Sequence, residues 1–256
     1  MTRKSMLPVG GGNLFQTIKG WCRQADDEGL DLIKLSIGQP SGPAFGIARE
    51  VAARMIRSDH ESMHEYQDNG SPGCPDFAED FVQAHVRTKV SDYPGRIDFL
   101  PIPGIKPMLG MVINSCGGWC RGENSVRVIT MTKPGYPTPA DQAKMCRGVL
   151  HTHAPMEKSL GFLFDLQVIT DLEMGEGDLI MLNLPHNPCG IVGNKEWLSE
   201  LCAICEERGI RVFNDAAYAI LTYDEDATTL TDVAIDYPDL NWAEAFSASK
   251  AGNFNG

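Results

Sequence analysis

The sequence predicts an α/β fold, with a mostly parallel sheet sandwiched by helices. From about residue 95 onward, short apolar runs alternate with amphipathic stretches, which is typical of strands that alternate with helices in a parallel sheet. The chain has 256 residues, of which 43% are hydrophobic and 22% are charged. It is therefore long enough to bury one large α/β domain or two small domains.

The predicted elements follow one another in a regular order. Strands are predicted over residues 97–100, 126–130, 149–152, 178–182, 210–213 and 242–246, and helices over 104–116, 140–147, 164–174 and 195–207. Asn194 is a typical N-cap for the last of these helices, and Gly209 is a typical helix end. Before residue 95, a short extended piece at 35–40 and a long polar loop at 64–73 are predicted instead.

The charge balance excludes some classes of partner. The formal net charge is −12, so we expect nucleic acid and anionic membrane surfaces to repel the chain. No apolar run approaches the length that spans a membrane, and the first residues lack the apolar core of a signal peptide. We therefore expect a soluble, cytoplasmic protein.

The eight cysteines predict core thiols rather than a metal site. Cys202 and Cys205 form the one C-x-x-C pair, inside a stretch with the apolar spacing of a helix. A zinc site would need a second ligand pair at matching spacing, and the sequence offers none. Reduced cysteines fit a cytoplasmic compartment.

In a parallel sheet, ligands bind at the carboxyl ends of the strands, and two motifs fit this position near the start of the predicted sheet. Gly104 opens a helix, where backbone N–H groups favour an anion and Lys106 adds a positive charge. A solvated surface lysine would give the same pattern. Pro134 and Pro137 fix a rigid turn that presents Tyr136, whose ring either stacks on a flat ligand or caps the core.

Three further strand ends carry polar groups. Asn187 lies in an Asn-Pro turn, where its amide can donate a hydrogen bond. Asp215 directly follows an apolar strand, so it is either a partly buried acid that needs a cationic partner or a helix N-cap. Ser247, Ser249 and Lys250 share a loop of small residues. A lysine in such a loop is either solvated or functional.

Taken together and in order, these motifs resemble one family. The Asn-Pro-Cys-Gly turn at 187–190, the Asp-x-x-Tyr at 215–218 and the Ser-Ala-Ser-Lys at 247–250 are similar to the fold-type-I pyridoxal-phosphate enzymes. The closest similarity is to the class I and II aminotransferases. The resemblance runs from the turn at 37–40 to the end of the chain. The Gly-Ile-Lys at 104–106 is most similar to the LL-diaminopimelate aminotransferase branch.

The resemblance implies a cofactor, pyridoxal 5'-phosphate (PLP), and a role for each residue around its ring. Lys250 would bind the cofactor covalently and, once released, would shuttle the substrate proton. Asp215 would pair with the pyridinium nitrogen. Asn187 and Tyr218 would hydrogen-bond the phenolic oxygen, and Tyr136 would stack on the ring face.

The resemblance also implies a phosphate site. The backbone N–H groups of Gly104 and Ile105 would bind the cofactor phosphate, together with Lys106, Ser247 and Ser249. A helix N-terminus and local donors suffice for this even in an acidic chain.

Two further residues match family positions outside the ring and phosphate sites. Tyr66 matches a tyrosine that reaches the phosphate of the neighbouring subunit, which implies a homodimer. Gly38 matches a glycine beside the substrate carboxylate. The resemblance also implies two domains. Residues 1–44 would form an N-terminal arm and part of a small domain, and residues 45–256 would form the large PLP-binding domain, truncated.

Two departures from the family pattern stand out. Cys189 occupies a position that is usually threonine. Gly256 matches the glycine of a Gly-x-Arg motif, and the sequence ends two residues before the arginine that clamps the phosphate. The C-terminal small domain, with its arginine for the substrate α-carboxylate, has no counterpart in these 256 residues. We therefore expect a truncated large domain that is at best weakly active alone.

The implied activity is transfer of an amino group between an L-amino acid and a 2-oxo acid. Because one fold supports several reactions, two alternatives remain. The first is a PLP-dependent lyase of the same fold, either a β-C–S lyase or a cyclopropane-forming synthase. The second is an inactive or regulatory PLP-binding fragment.

Overall fold

The computed structural model describes residues 14–35, 38–65, 73–118 and 125–254. The chain divides into two compact units, Met1–Ser41 and Gly42–Gly256. This division lies close to the predicted boundary after residue 44. The assignment of the first part to an N-terminal arm and small domain stays a prediction.

The first unit contains one described helix, α1 (Leu14–Asp27), followed by a turn and by chain without regular secondary structure. None of its described residues is buried. The Nζ of Lys34 lies 2.6 Å from the Oδ2 of Asp26, and both side chains are about half exposed. An exposed ion pair of this kind contributes little to stability, so the described part of this unit has no apolar core of its own.

The second unit alternates strands and helices. In chain order, its described elements are α2 (Gly46–Ile56), α3 (Phe77–Gln83), α4 (Ile105–Ser115), β1 (Val126–Thr130), α5 (Thr138–Met145), β2 (Val149–His153), α6 (Gln167–Asp171), β3 (Leu179–Leu182), α7 (Lys195–Arg208), β4 (Arg211–Asp215), α8 (Leu230–Ala234), β5 (Trp242–Ala245) and α9 (Ala248–Ala251). Short 3-10 turns lie at Glu61–Met63, Val90–Asp92, Lys158–Leu160 and Ala219–Leu221.

The five described strands form one parallel sheet in the order β2-β1-β3-β4-β5. The register places Ile180 of β3 opposite Ile129 on one side and Val212 on the other. Since all neighbours are parallel, every strand has its carboxyl end at the same edge of the sheet. The predicted α/β fold with a parallel sheet is confirmed.

Both faces of the sheet are covered, and β3 shows how. All four of its residues are buried. Ile180 and Leu182 belong to a core cluster with residues of α7 and α8. Leu179 and Met181 belong to a second cluster with residues of α4 and α5. A strand buried on both faces reads as a continuous apolar run, which is what the sequence has here.

Helix α7 has the ends that the sequence predicts. The Oδ1 of Asn194 accepts a hydrogen bond from the backbone N of Trp197 at 2.8 Å. Gly209 ends the helix in the left-handed region, with φ 68°. The buried face of α7 consists of Leu198, Leu201, Cys202 and Cys205. The interpretation as core thiols is confirmed for Cys202 and Cys205, since both are 0% exposed, and is wrong for Cys74, which is exposed.

The predicted strand at residues 97–100 is wrong. This segment has no regular secondary structure and pairs with no strand of the described sheet. Ile97 and Phe99 pack instead on a small core cluster that includes Phe246. Pro101 and Pro103 follow directly, and proline cannot donate a ladder hydrogen bond. The alternation of apolar and polar residues therefore reflects a segment that packs on a core cluster with one side, without strand pairing.

The predicted helix at residues 164–174 is too long. Only Gln167–Asp171 is helical. Phe164 forms an isolated antiparallel bridge with Met156, and the Oδ1 of Asp165 accepts a hydrogen bond from the backbone N of Gln167 at 2.9 Å. Glu173 has a positive φ of 50°, which a continuing α-helix does not allow. Across the described ranges, no helix combines the length and apolar character needed to cross a bilayer.

Candidate cofactor site

Four polar turns meet at the carboxyl edge of the sheet. Residues 131–137 follow β1, residues 183–190 follow β3, residues 215–218 begin at the end of β4, and residues 246–250 follow β5. This edge is where a parallel sheet binds its ligands. The fifth predicted motif, at 104–106, begins α4 without a strand before it.

Asp215 is a buried acid at the end of β4, with 6% of its surface exposed. Its Oδ1 accepts a hydrogen bond from the backbone N of Ala217 at 3.3 Å. In the described part of the chain, no basic side chain lies within ion-pair distance of this carboxylate. Burial raises the pKa of Asp215 from 3.8 to about 6, opposed in part by the Ala217 N–H and by the charge of Lys250. The site therefore contains an acid without a close cationic partner.

Lys250 lies in the same cluster as Asp215. Its Nζ is 5.6 Å from the centroid of the Tyr218 ring, which is within the range of a cation–π contact. The pKa of Tyr218 is raised by burial, and further by the negative charges of Asp215 and Tyr136. Four of the predicted ring residues thus lie together.

Tyr136 is held by a tight turn after β1. It is partly buried and packs against the core cluster beneath α4 and α5. At the preceding Gly135, a Cβ would collide with the backbone O of Met131 and would lie 2.6 Å from the Cα of Thr132. A residue with a Cβ at position 135 would therefore require the turn next to Tyr136 to shift.

Asn183 joins two of the turns. Its Oδ1 accepts a hydrogen bond from the backbone N of Asn187 at 3.0 Å. Its Nδ2 donates to the backbone O of Asp215 at 2.9 Å. Asn183 is 6% exposed. The turn that carries Asn187 is therefore tied to the strand end that carries Asp215.

A second buried asparagine, Asn214 of β4, holds the backbone of the same turn at Leu184. Its side-chain amide forms two hydrogen bonds with the backbone of Leu184, at 2.8 and 2.9 Å. Its Nδ2 also donates to the Oε1 of Glu244 at 2.6 Å. The Glu244 carboxylate accepts further hydrogen bonds from the backbone N of Leu230 and from the backbone N and Oγ1 of Thr231. Burial raises the pKa of Glu244, and these donors oppose the rise.

His186 connects the Asn187 turn to the end of β1. It is 3% exposed. Its Nε2 lies 3.1 Å from the backbone O of Met131, and its Nδ1 accepts from the backbone N of Cys189 at 3.4 Å. A carbonyl can only accept, so Nε2 carries the proton and the ring is neutral. Burial lowers the pKa of His186, in agreement with this neutral form.

The predicted phosphate residues lie at two helix starts. Gly104 precedes α4 with a φ of 101°, a backbone conformation that favours glycine. Ile105 is buried, and Lys106 is exposed. At the start of α9, the Oγ of Ser247 accepts a hydrogen bond from the backbone N of Ser249 at 3.1 Å. The roles of these residues toward a phosphate stay predictions.

Two further residues were predicted to contribute to the site, Gly38 and Tyr66. Gly38 is an exposed residue of the first unit, and its role stays a prediction. Tyr66 lies outside the described residues, as does Gly256. Four polar residues that support the site were not predicted as functional: the buried Asn183, His186 and Asn214 and the half-buried Glu244. Glu244 left one signal, a charged residue within the apolar stretch of β5.

A sequence model of the family described as "Aminotransferase class I and II" matches residues 31–256. The match covers most of the chain. The chain belongs to this family. The predicted resemblance is confirmed.

Curated relatives of this class I/II aminotransferase chain include LL-diaminopimelate aminotransferases. The protein from Methanococcus maripaludis is 28% identical over 227 residues, which cover 89% of this chain and 51% of the relative. The protein from Desulforudis audaxviator is 26% identical over 82% of this chain and 51% of the relative. A probable aspartate/prephenate aminotransferase from Aquifex aeolicus is 24% identical over 81% of this chain. The chain spans about half the length of the relatives it matches.

Solved structures agree with the fold. Aspartate aminotransferase from Thermotoga maritima aligns with a TM-score of 0.72 and 19% identity, over 96% of this chain and 62% of that one. A double mutant of the Thermus thermophilus aspartate aminotransferase aligns with a TM-score of 0.75 and 17% identity, over 100% and 63%. At these identities the similarity concerns the fold alone.

Aminotransferases of this family use PLP as their cofactor, and the residues present fit it. The decisive observation is Asp215, whose pKa is raised by burial and which has no basic side chain at ion-pair distance among the described residues. A protonated pyridine nitrogen is a cation, and an opposite charge beside such an acid favours its ionised form. Lys250 supplies an amine at the same carboxyl edge of the sheet, near the Tyr218 ring. A flat, anionic cofactor with one cationic ring atom matches this set of groups.

Proposed function

We propose that this chain carries the cofactor-binding part of a PLP-dependent aminotransferase, which transfers an amino group between an L-amino acid and a 2-oxo acid. The observation that carries the proposal is the buried Asp215, which shares a cluster with the amine of Lys250. Membership of the aminotransferase family and the names of the relatives support amino transfer as the reaction.

When bound, PLP supplies an electron sink for cleavage of the Cα–H bond of an amino acid. Lys250 would hold the cofactor through its Nζ and, once released from it, the same amine would accept and return the Cα proton. Asp215 pairs with the pyridine nitrogen and keeps that nitrogen protonated. This pairing lowers the cost of the buried Asp215 charge, since an opposite charge favours the ionised form.

The remaining ring contacts come from three side chains. Asn187 and Tyr218 donate hydrogen bonds to the phenolic oxygen and stabilise its ionised form. Tyr136 stacks on the face of the ring, which excludes water from that face. The pKa of Tyr218 is raised by burial, so its hydroxyl keeps the proton that it donates.

The phosphate is bound at the start of α4. Gly104 and Ile105 donate backbone N–H groups, and the helix N-terminus adds a favourable dipole. Lys106, Ser247 and Ser249 add a charge and two hydroxyls. The exposed position of Lys106 leaves its ammonium free to reach a surface phosphate.

Substrate and assembly complete the proposal. Gly38 lies beside the substrate carboxylate, and Tyr66 reaches the phosphate of a second subunit in a homodimer. Residues 1–44 are an N-terminal arm and part of a small domain, and the rest is the PLP-binding domain. The protein is cytoplasmic. The buried free thiols of Cys202 and Cys205 fit a reducing compartment.

The test starts with cofactor attachment, which depends on residues of this chain. Purified chain is incubated with PLP, reduced with borohydride and digested. We expect the added mass on the peptide that contains Lys250. Lys250→Ala should lose both the added mass and the visible absorbance, whereas Lys158→Ala, at an exposed lysine, should keep them. Wild-type chain without PLP-dependent absorbance would refute the proposal.

The reaction type is tested by product analysis. Amino donors named for the relatives, LL-diaminopimelate and aspartate, are supplied with and without a 2-oxo acid. Amino transfer requires the oxo acid and yields a new amino acid. A cysteine thioether, supplied without a 2-oxo acid, tests the lyase alternative, because a β-C–S lyase breaks its Cβ–S bond and releases thiol, pyruvate and ammonia.

A further inference from the structure

One buried side chain bridges the two residues that are assigned to the nitrogen and the phenolic oxygen of the cofactor ring. Asn183 accepts from the backbone N of Asn187 at 3.0 Å and donates to the backbone O of Asp215 at 2.9 Å. Asn187 is assigned to the phenolic oxygen and Asp215 to the ring nitrogen. The side-chain amide of Asn183 therefore links the backbones of the two residues that make these contacts.

The orientation of the Asn183 amide is fixed by its partners. A backbone N–H can only donate and a backbone carbonyl can only accept, so Oδ1 must face Asn187 and Nδ2 must face Asp215. With 6% of its surface exposed, Asn183 has little access to water as a replacement partner. A substitution that removes the amide leaves buried backbone groups short of a hydrogen bond.

We propose that Asn183 is a positioning residue for the cofactor, which sets the distance and orientation between the Asn187 and Asp215 contacts. The proposal rests on the proposed function, since it assigns Asn183 a role toward the same ring. Asn183 touches neither the ring nor the substrate in this scheme. It acts through the backbone of the two residues that do.

The chain provides a matched control at the other end of the same strand. Asp178 directly precedes β3, as Asn183 directly follows it, and it is 5% exposed. Its carboxylate accepts hydrogen bonds from the backbone N of Arg127 at 2.7 Å and of Gly175 at 3.0 Å. Both side chains therefore tie two backbone segments together. Of these two residues, only Asn183 lies at the carboxyl edge of the sheet.

The substitutions Asn183→Leu and Asp178→Leu remove two backbone hydrogen bonds each and keep a side chain of similar size. Asp178→Leu also removes an ion pair with Arg127, whose Nη1 lies 3.9 Å from Oδ2 of Asp178. We expect both to lower the urea midpoint of the cofactor-free chain. In Asn183→Leu alone, PLP affinity should fall by about tenfold, the equivalent of one net hydrogen bond. Since Asn187 then no longer stabilises the ionised phenolic oxygen, the pH midpoint of the cofactor absorbance should move up by ~0.5 unit or more.

The experiment titrates each purified chain with PLP by absorbance, and then titrates the PLP-bound chains with acid and base. Asn183→Ser, which keeps one hydroxyl for one of the two bonds, should give an intermediate shift of the pH midpoint. If Asn183→Leu does not fold, Asn183→Ser provides the test in its place. Urea unfolding reports the purely structural effect of every variant.

The outcomes separate this inference from the proposed function. A changed pH midpoint in both Asn183 variants, with a wild-type midpoint in Asp178→Leu, supports the positioning role. Wild-type midpoints and affinity in the folded Asn183 variants would overturn the inference alone. Equal changes in the Asp178 and Asn183 variants would also overturn it, because they would indicate a general loss of stability. No PLP absorbance from the wild-type chain would overturn the proposed function, and this inference with it.

Discussion

The carboxylate of Asp215 accepts a hydrogen bond from the backbone N of Ala217 at 3.3 Å, at the buried carboxyl end of β4. A single backbone donor at this distance does not compensate for removal of a carboxylate from water. The raised pKa of Asp215, about 6, has burial as its main cause. The cofactor-free chain therefore carries a destabilising charge that a bound cation would relieve.

The first prediction is that Asp215→Asn stabilises the cofactor-free chain while it weakens PLP binding. The folded pKa of about 6 lies above the ordinary 3.8, so the stability tied to Asp215 is complete below pH 4 and is lost as the pH rises through 6. At pH 7 the variant should gain about 1–3 kcal/mol. Urea unfolding between pH 4 and 7 measures this gain. A variant less stable than wild type at pH 7 would contradict it.

The second prediction concerns two histidines of the edge strand β2. The Nε2 of His151 lies 2.8 Å from the Oγ1 of Thr130, which is 2.7 Å from the Oγ1 of Thr132. That hydroxyl is 2.8 Å from the Nδ1 of His153. Burial lowers the pKa of His151 to about 4, with further lowering by the charges of His153 and Lys144. His151 is therefore neutral in the folded chain at neutral pH.

Because the folded pKa of His151 is below the ordinary 6.5, the unfolded chain takes up a proton first on acidification. Stability tied to His151 is thus complete above pH 6.5 and is lost as the pH falls toward 4. His151→Gln keeps a neutral hydrogen-bonding group but cannot titrate. We expect it to lose less stability than wild type between pH 7 and 5 in urea unfolding. An equal loss in both chains would rule out His151 as a source of acid sensitivity.

Most of the sheet could be predicted because burial leaves a periodic pattern in the sequence. Residues 126–130 match β1, and residues 178–182 contain β3. The same reasoning failed at residues 97–100, where Ile97 and Phe99 are partly buried against a core cluster without strand pairing. Alternation reports which side of an extended segment is covered. It does not report whether another strand or a core cluster covers it.

The grouping of site residues at one edge of the sheet could be predicted from the order of the motifs, whereas contacts between distant parts of the chain could not. Asp215, Tyr218 and Lys250 follow from the motif order. His186 is different, since its partner Met131 lies 55 positions away in the sequence. Glu244 likewise has all its hydrogen-bond partners on other elements. A single sequence does not reveal such pairs.

The third prediction concerns the core thiols of α7. Cys205 is 0% exposed, and burial raises its pKa, so the thiol behaves as a small apolar group. Cys205→Ser buries a hydroxyl in this apolar cluster and should cost about 1–3 kcal/mol in the free energy of unfolding. The exposed Cys74 provides the control, because Cys74→Ser should change stability by less than about 0.5 kcal/mol. Urea unfolding of both variants makes the comparison, and equal stabilities would refute it.

The fourth prediction concerns the turn that presents Tyr136. A Cβ at Gly135 would collide with the backbone O of Met131, and backbone cannot move aside as a flexible side chain can. Gly135→Ala must therefore shift the turn and Tyr136 with it, so we expect PLP affinity to fall by about tenfold or more, as for the loss of one ring contact. At Gly175, nothing lies within 4 Å of an added Cβ, so Gly175→Ala should bind PLP as wild type does. PLP titration followed by absorbance compares the two variants. Wild-type affinity in Gly135→Ala would show that the position of Tyr136 does not contribute to cofactor binding.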